Sequence, residues 1–186
     1  SVLVVAAKHH HSGPSPSTDD PGDRAALEAF GKALNVGGWV KNTAWLEASK
    51  SMCEWHGVTC KGNRVTELSL EHNGLNGTLP EALSALTALT KLNLDGGRPA
   101  SYTGCSGNDL RGSALPDAFY TLSALESVNL EYTCLGGRLE DRFEKMTRMV
   151  EFQVHGNGLS GPIPASLASM VSLQILKLGR NPFTGA

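Results

Sequence analysis

The sequence predicts an α/β repeat fold: a solenoid with one short strand per repeat and a helical N-terminal cap. Three observations predict it. A phrase beginning at Val65, Val-Thr-Glu-Leu-Ser-Leu-Glu-His-Asn-Gly-Leu-Asn-Gly-Thr-Leu-Pro, returns in variants from Leu89, Leu125, Met149 and Leu173, at spacings of 24, 36, 24 and 24 residues. A period of that size marks a solenoid. Within each copy, apolar and polar residues alternate as in a strand with one buried face. A segment bearing three tryptophans and two cysteines precedes the first copy, where an open solenoid end needs cover.

Residues 1–17 form an N-terminal arm. Ser1 to Ala7 is a short apolar run that reads either as the tail of a signal peptide or as an ordinary extended arm. His9, His10 and His11, beside Ser12-Gly13-Pro14-Ser15-Pro16-Ser17, read as a linker or an expression remnant and not as a metal site. Residues 18–64 form the cap. Ala26, Leu27, Phe30, Ala33 and Leu34 recur at helical spacing behind Asp19, Asp20 and Pro21, which are start signals. Trp39, Trp45 and Trp55 read as cap core. Cys53, His56 and Cys60 offer two sulfurs and a nitrogen, short of the four ligands of structural zinc, so no metal is assigned.

Residues 65–186 are the repeats, the last of them incomplete. In the first, Leu68 and Leu70 alternate with Glu67, Ser69 and Glu71. Asn73 follows and recurs as Asn108, Asn157 and Asn181, with Thr133 in the third copy. An Asn side chain has two donors and two acceptor lone pairs, enough to satisfy backbone groups where the chain leaves the strand. Thr133 donates one bond fewer, so a local adjustment is expected there. Leu-x-Gly-x-x-Pro comes next, and the proline ends the extended segment. Pro80 to Leu86 is a helical turn with Leu83 and Leu86 facing inward. The third copy carries Glu140 where the others carry proline.

This pattern resembles the plant-specific class of leucine-rich repeat, Leu-x-x-Leu-x-Leu-x-x-Asn-x-Leu-x-Gly-x-Ile-Pro, over Val65 to Ala186. The resemblance implies a leucine-rich-repeat solenoid with a parallel concave sheet and an irregular or 3-10 convex side. Cys53-Glu54-Trp55-His56-Gly57-Val58-Thr59-Cys60 resembles the N-terminal cap of secreted members, and the resemblance implies a Cys53–Cys60 disulfide. Cys105 lies in the inserted stretch of the second repeat, about 96–107, three positions before Asn108. Cys134 follows Thr133 in the next repeat. Adjacent repeats bring these turns side by side, which makes Cys105–Cys134 the expected second bridge. On a chain-entropy model the two bridges contribute about 2.5 and about 3.6 kcal/mol, and they indicate an oxidising compartment.

Composition narrows the function. A formal charge of −2 without a dense basic cluster gives no reason to invoke nucleic acid, and no apolar run reaches the ~20 residues of a membrane helix. No nucleophile elbow, zinc-protease motif, phosphate loop or dinucleotide fingerprint occurs, so no catalytic residue, enzyme activity or cofactor is assigned. The outward positions of the strands form three columns. The third runs Glu71, Asp95, Glu131, His155, Gly179, and its acids stand on successive strands ~4.8 Å apart, each pair repelling by about 1 kcal/mol in water. This column reads as an acidic strip for a basic peptide or protein patch, against the bland reading of a solvated face. Arg98 and Tyr102, in the insertion, mark a second contact region. Asn76-Gly77-Thr78 is a glycosylation sequon in an exposed turn.

The expected function is a non-enzymatic recognition module. It is secreted or on the extracellular face of the cell surface, monomeric or part of a larger chain, and it engages a protein, peptide or glycan. Among the branches of the family are receptor-kinase ectodomains, inhibitors of pectin-degrading enzymes and protozoan surface antigens. The alternative is an assembly subunit associating through an uncapped C-terminal end, where leucines would otherwise meet water. Ice or polysaccharide binding needs a regular Thr or Asn array. The convex positions Thr78, Ser113, Arg138 and Pro162 are mixed.

Overall fold

The structure, a computed structural model, describes residues 19–99, 105 and 107–185. The expectations for residues 1–17 and for Tyr102 lie outside that range.

Helix α1 spans Pro21–Ala33. Asp20 caps it by accepting hydrogen bonds from the backbone N–H groups of Gly22 and Asp23, both at 3.0 Å, and proline at the first helical position needs no such partner. The helix buries Ala26, Leu27 and Phe30, and the Phe30 ring lies 6.3 Å from both Trp39 and Trp45. All three tryptophans are buried, as cap core requires. Two of the three buried indole N–H groups have acceptors, and that of Trp55 has none among the described residues. Trp39 donates to the Leu34 carbonyl at 2.7 Å and Trp45 to the His56 carbonyl at 2.9 Å.

One acid joins this cap to the repeats. Asp23 is fully buried and accepts from Arg64 Nε and Nη2, each at 2.9 Å, and from the Val65 backbone N–H at 2.7 Å. The hydrogen bond to Asp23 holds the Arg64 guanidinium above its ordinary pKa.

The cap also contributes a strand that the repeat pattern does not announce. β1 (Val58–Lys61) pairs antiparallel with β2 (Arg64–Ser69). Four further strands, one per repeat, continue this sheet in parallel: β3 (Lys91–Asn93), β4 (Ser127–Asn129), β5 (Glu151–Gln153) and β7 (Ile175–Lys177). Together they form one sheet in the order β1-β2-β3-β4-β5-β7. A small second pair, β6 (Gly161–Pro162) with β8 (Phe183–Thr184), lies outside it.

Leu68, Leu92, Val128 and Phe152 stand in register on neighbouring strands, and each is fully buried. They belong to one continuous cluster running from Ala26 to Met170. Leu176, next in that register, is 45% exposed, and Val171 and Ile175 are exposed with it.

On the convex side, 3-10 turns at Glu81–Ala85, Asp117–Thr121 and Ala165–Ser169 follow Pro80, Pro116 and Pro164. The third repeat, with Glu140 instead, has no such turn among its described residues. Side chains of its neighbours take over the backbone. Ser166 Oγ accepts from the Phe143 N–H at 3.0 Å, and the Tyr120 hydroxyl accepts from the Glu140 N–H at 2.9 Å.

The expected asparagine spine is present. Asn108 Oδ1 accepts from the N–H groups of Asn73 and Leu75 at 3.0 Å, while its Nδ2 donates to the Leu70 and Leu94 carbonyls at 2.7 and 2.8 Å. Asn157 repeats the arrangement. At Thr133 the adjustment takes a definite form: its hydroxyl donates to the Leu130 carbonyl, and the Leu110 N–H turns to the Thr133 backbone carbonyl. Both disulfides form, Cys53–Cys60 and Cys105–Cys134.

Candidate functional site

The parallel register places the outward side chains of each strand beside their equivalents on the next. Glu67, Lys91, Ser127, Glu151 and Ile175 make one column, and Ser69, Asn93, Asn129, Gln153 and Lys177 make the second. The third column lies just past the strand ends, where the ladder continues. The N–H groups of His72, Gly96, Tyr132 and Gly156 donate to the carbonyls of Asp95, Glu131, His155 and Gly179. Glu71, Asp95, Glu131 and His155 therefore occupy adjacent rungs.

The middle column helps to set that geometry. Asn93 Oδ1 accepts from the Asp95 N–H at 3.2 Å, and Asn129 Oδ1 accepts from the Glu131 N–H at 3.0 Å. This role was missed in the sequence, although an Asn two residues before the residue it holds is an Asx-turn signal.

The strip is not a run of bare carboxylates, which corrects the simple picture of mutual repulsion. Lys177, reaching across from β7, places Nζ 3.2 Å from Glu131, whose side chain is 14% exposed. His72 Nε2 lies 3.9 Å from Asp95, and the Asp95 carboxylate accepts from the Gly97 N–H at 2.8 Å. Glu71 is exposed. With Lys177 half in water, the Glu131 pair contributes at most about 1 kcal/mol.

Aromatic rings edge the strip, and none but His155 was singled out beforehand. The Tyr132 and His155 ring centroids are 5.4 Å apart, edge to face. His72 and Tyr132 both have left-handed backbone, φ 51° and 52°. Their rings lie over glycines of the following coil. A Cβ at Gly97 would collide with the His72 imidazole, and one at Gly156 with the Tyr132 ring, so a side chain at either position would displace the ring, at a positive φ that favours glycine.

The insertion leaves the solenoid directly beside the strip. Gly96 follows Asp95 and packs against the Tyr132 carbonyl. Arg98 is exposed just beyond it. The insertion returns at Cys105, bonded to Cys134, two residues after Tyr132. The two contact regions expected separately thus share a root. A shallow pocket of about 260 Å³ adjoins the other end of the strip, between cap and first repeat, lined by Val40, Lys41, His56, Ser69, Glu71 and His72.

Cys105, Asp109 and Cys134 place ligand-type atoms within 4.8 Å of one another. The sulfurs are bonded to each other and hold no thiolate for a metal. Cys53 and Cys60 are likewise joined, leaving His56 without sulfur partners for an ion. Asn76 is exposed, and its N–H donates to the Leu34 carbonyl at 3.2 Å. No helix of the described residues is long and apolar enough to cross a membrane.

Comparison with known proteins agrees with this geometry. The Leucine Rich Repeat family matches residues 64–86. The chain is 33% identical over 168 residues to the Brassinosteroid LRR receptor kinase BRL3 of Oryza sativa subsp. japonica, covering 88% of this chain and 11% of that protein. Among solved structures it is similar to a plant ice-binding protein, with TM-score 0.73, 24% identity, and coverage of 90% of this chain and 50% of that one. It is also similar to the LRR ectodomain of the receptor kinase SOBIR1 from Arabidopsis thaliana, with TM-score 0.70, 22% identity, and coverage of 91% and 84%. The fold is a leucine-rich-repeat solenoid. The chain spans between 8% and 19% of the length of the first curated relatives it matches.

Proposed function

We propose that this chain is a non-enzymatic recognition module of the extracellular space or outer cell surface that binds an extended basic peptide or a basic protein patch. Residues 18–64 act as its cap, in the manner of secreted plant-type repeats, and residues 65–186 as its repeat array. One observation carries the reading: Glu71, Asp95, Glu131 and His155 stand on consecutive rungs of the concave face and run into the root of the insertion at Gly96 and Arg98. Parallel rungs ~4.8 Å apart offer an extended chain regularly spaced acceptors, and opposite charge steers its arrival. The sequence relation to a plant LRR receptor kinase supports the class. Asn76 is the proposed glycan site, on a turn away from the strip.

The assembly reading has its own observation, the exposure of Val171, Ile175 and Leu176. Size-exclusion chromatography separates the two, since a recognition module elutes as a monomer at concentrations where an assembly subunit associates.

The direct experiment screens the chain against a displayed peptide library and then replaces Glu71, Asp95 and Glu131 together by alanine. Enriched peptides should carry lysine or arginine, bind less tightly as salt rises, and lose at least tenfold in affinity, about 1.4 kcal/mol, on the triple variant. Folding stability should stay within about 1 kcal/mol, because the lost repulsion and the lost Lys177–Glu131 pair offset each other. Undiminished binding by the triple variant would refute the strip as the site.

A further inference from the structure

We propose that Cys105–Cys134 is a reducible bridge through which a dithiol reductant controls the recognition surface, whereas Cys53–Cys60 is a permanent staple of the cap. The inference rests on the strip-and-insertion reading of the site but is tested without a ligand.

The two bridges sit in different surroundings. Cys53 and Cys60 pack against the hydrophobic cluster between buried Met52, Trp55 and Val58, and Cys60 is fixed within β1, paired along β2. If that bond opens, the packing keeps the sulfurs together and the bond re-forms. All four cysteines are half-buried, but Cys105 and Cys134, among the described residues, stand outside that cluster. Cys134 is flanked by fully buried Thr133 and Leu135.

A charge also selects the sulfur that leaves. Arg111 Nη2 lies 3.6 Å from Cys105 Sγ, and a guanidinium at that distance stabilises a thiolate. Asp109 opposes it in part, since its carboxylate lies 3.3 Å from Arg111 and close to both sulfurs. A thiolate of the reductant attacks Cys134 Sγ, the S–S bond breaks, and Cys105 departs as the stabilised thiolate. The reductant's second thiol then attacks the mixed disulfide and releases Cys134. In sum the protein gains two electrons and two protons, and the dithiol becomes a disulfide.

Opening the bridge frees Cys105 from the turn that carries Tyr132. That turn adjoins Glu131, so reduction loosens one side of the strip while the cap and core persist.

The test exposes the oxidised chain to dithiothreitol for graded times, quenches with acid, alkylates the free thiols and quantifies each cysteine by mass spectrometry. Cys105 and Cys134 should become alkylated about tenfold faster than Cys53 and Cys60. Arg111→Gln, a change at an exposed side chain, should slow the opening of Cys105–Cys134 about threefold and leave Cys53–Cys60 unchanged. Simultaneous opening, prior opening of the cap bridge, or an Arg111→Gln rate equal to wild type would overturn the proposal. Failure of peptide binding would count against the recognition reading and leave these rates untouched.

Discussion

Asn108 shows how one side chain can hold two coils together. It is fully buried and makes four strong hydrogen bonds to backbone groups of its own and the preceding repeat. Removing it strands two N–H groups and two carbonyls, each costing about 1–3 kcal/mol when left unpaired out of water. Relaxation recovers part of this, so Asn108→Ala should destabilise by about 3 kcal/mol or more in urea unfolding. Thr133→Ala at the equivalent position should cost only about 1 kcal/mol, because the Leu110 N–H already bonds to a backbone carbonyl there. Equal losses at the two sites would contradict the ladder's account. Asp23 does the same work between cap and array. Asp23→Ala leaves the Val65 N–H and the partly screened Arg64 guanidinium without their shared acceptor, and should cost about 2–3 kcal/mol by the same assay.

Among the elements, the third coil differs from its neighbours because Glu140 stands where proline would begin a 3-10 turn. Its backbone is held from outside, through Ser166. The Ser166 hydroxyl and N–H both hydrogen-bond the Asp141 carboxylate, which holds Asp141 below the ordinary carboxylate range. A carboxylate depressed in the folded state stabilises above its unfolded pKa and loses that contribution as pH falls through the folded one. The affected window lies below about pH 4. Urea midpoints measured from about pH 5 down to about pH 2 should therefore fall more steeply for wild type than for Ser166→Ala. Parallel curves would show that this contact does not stabilise the coil. Burial pushes the Tyr120 phenol in the opposite direction, upward, so it stays a neutral hydrogen-bonding group next to Glu140 across ordinary pH.

For the whole molecule, the features written once per coil were legible in the sequence. Leu68, Leu92, Val128 and Phe152 could be placed inside, and Asn73, Asn108 and Asn157 on the spine, because each coil repeats the same physical requirement at the same offset. The helix Pro21–Ala33 was legible from its period and its start signals. β1 was not, since Val58–Lys61 lies inside the cysteine motif and belongs to no repeat, although Gly62-Asn63 after it is a hairpin signal. At the site, the column of Glu71, Asp95, Glu131 and His155 followed from register alone. The Lys177–Glu131 pair did not, because it joins different columns two strands apart and depends on the reach of a long side chain. The packing of His72 and Tyr132 rings over Gly97 and Gly156 was equally hidden, since it requires the backbone path past the strand ends.

All these statements presuppose that consecutive coils share one interior and one hydrogen-bonded concave face. Native-state hydrogen exchange tests this most directly. The N–H groups of Leu70, Leu94, Leu130 and Val154 each donate to the following coil, and those of the central coils, Leu94 and Leu130, should exchange slowest, with protection declining towards the β7 edge at Ile175–Lys177. Exchange at Leu94 and Leu130 as fast as in the surface turns would contradict a continuous stack.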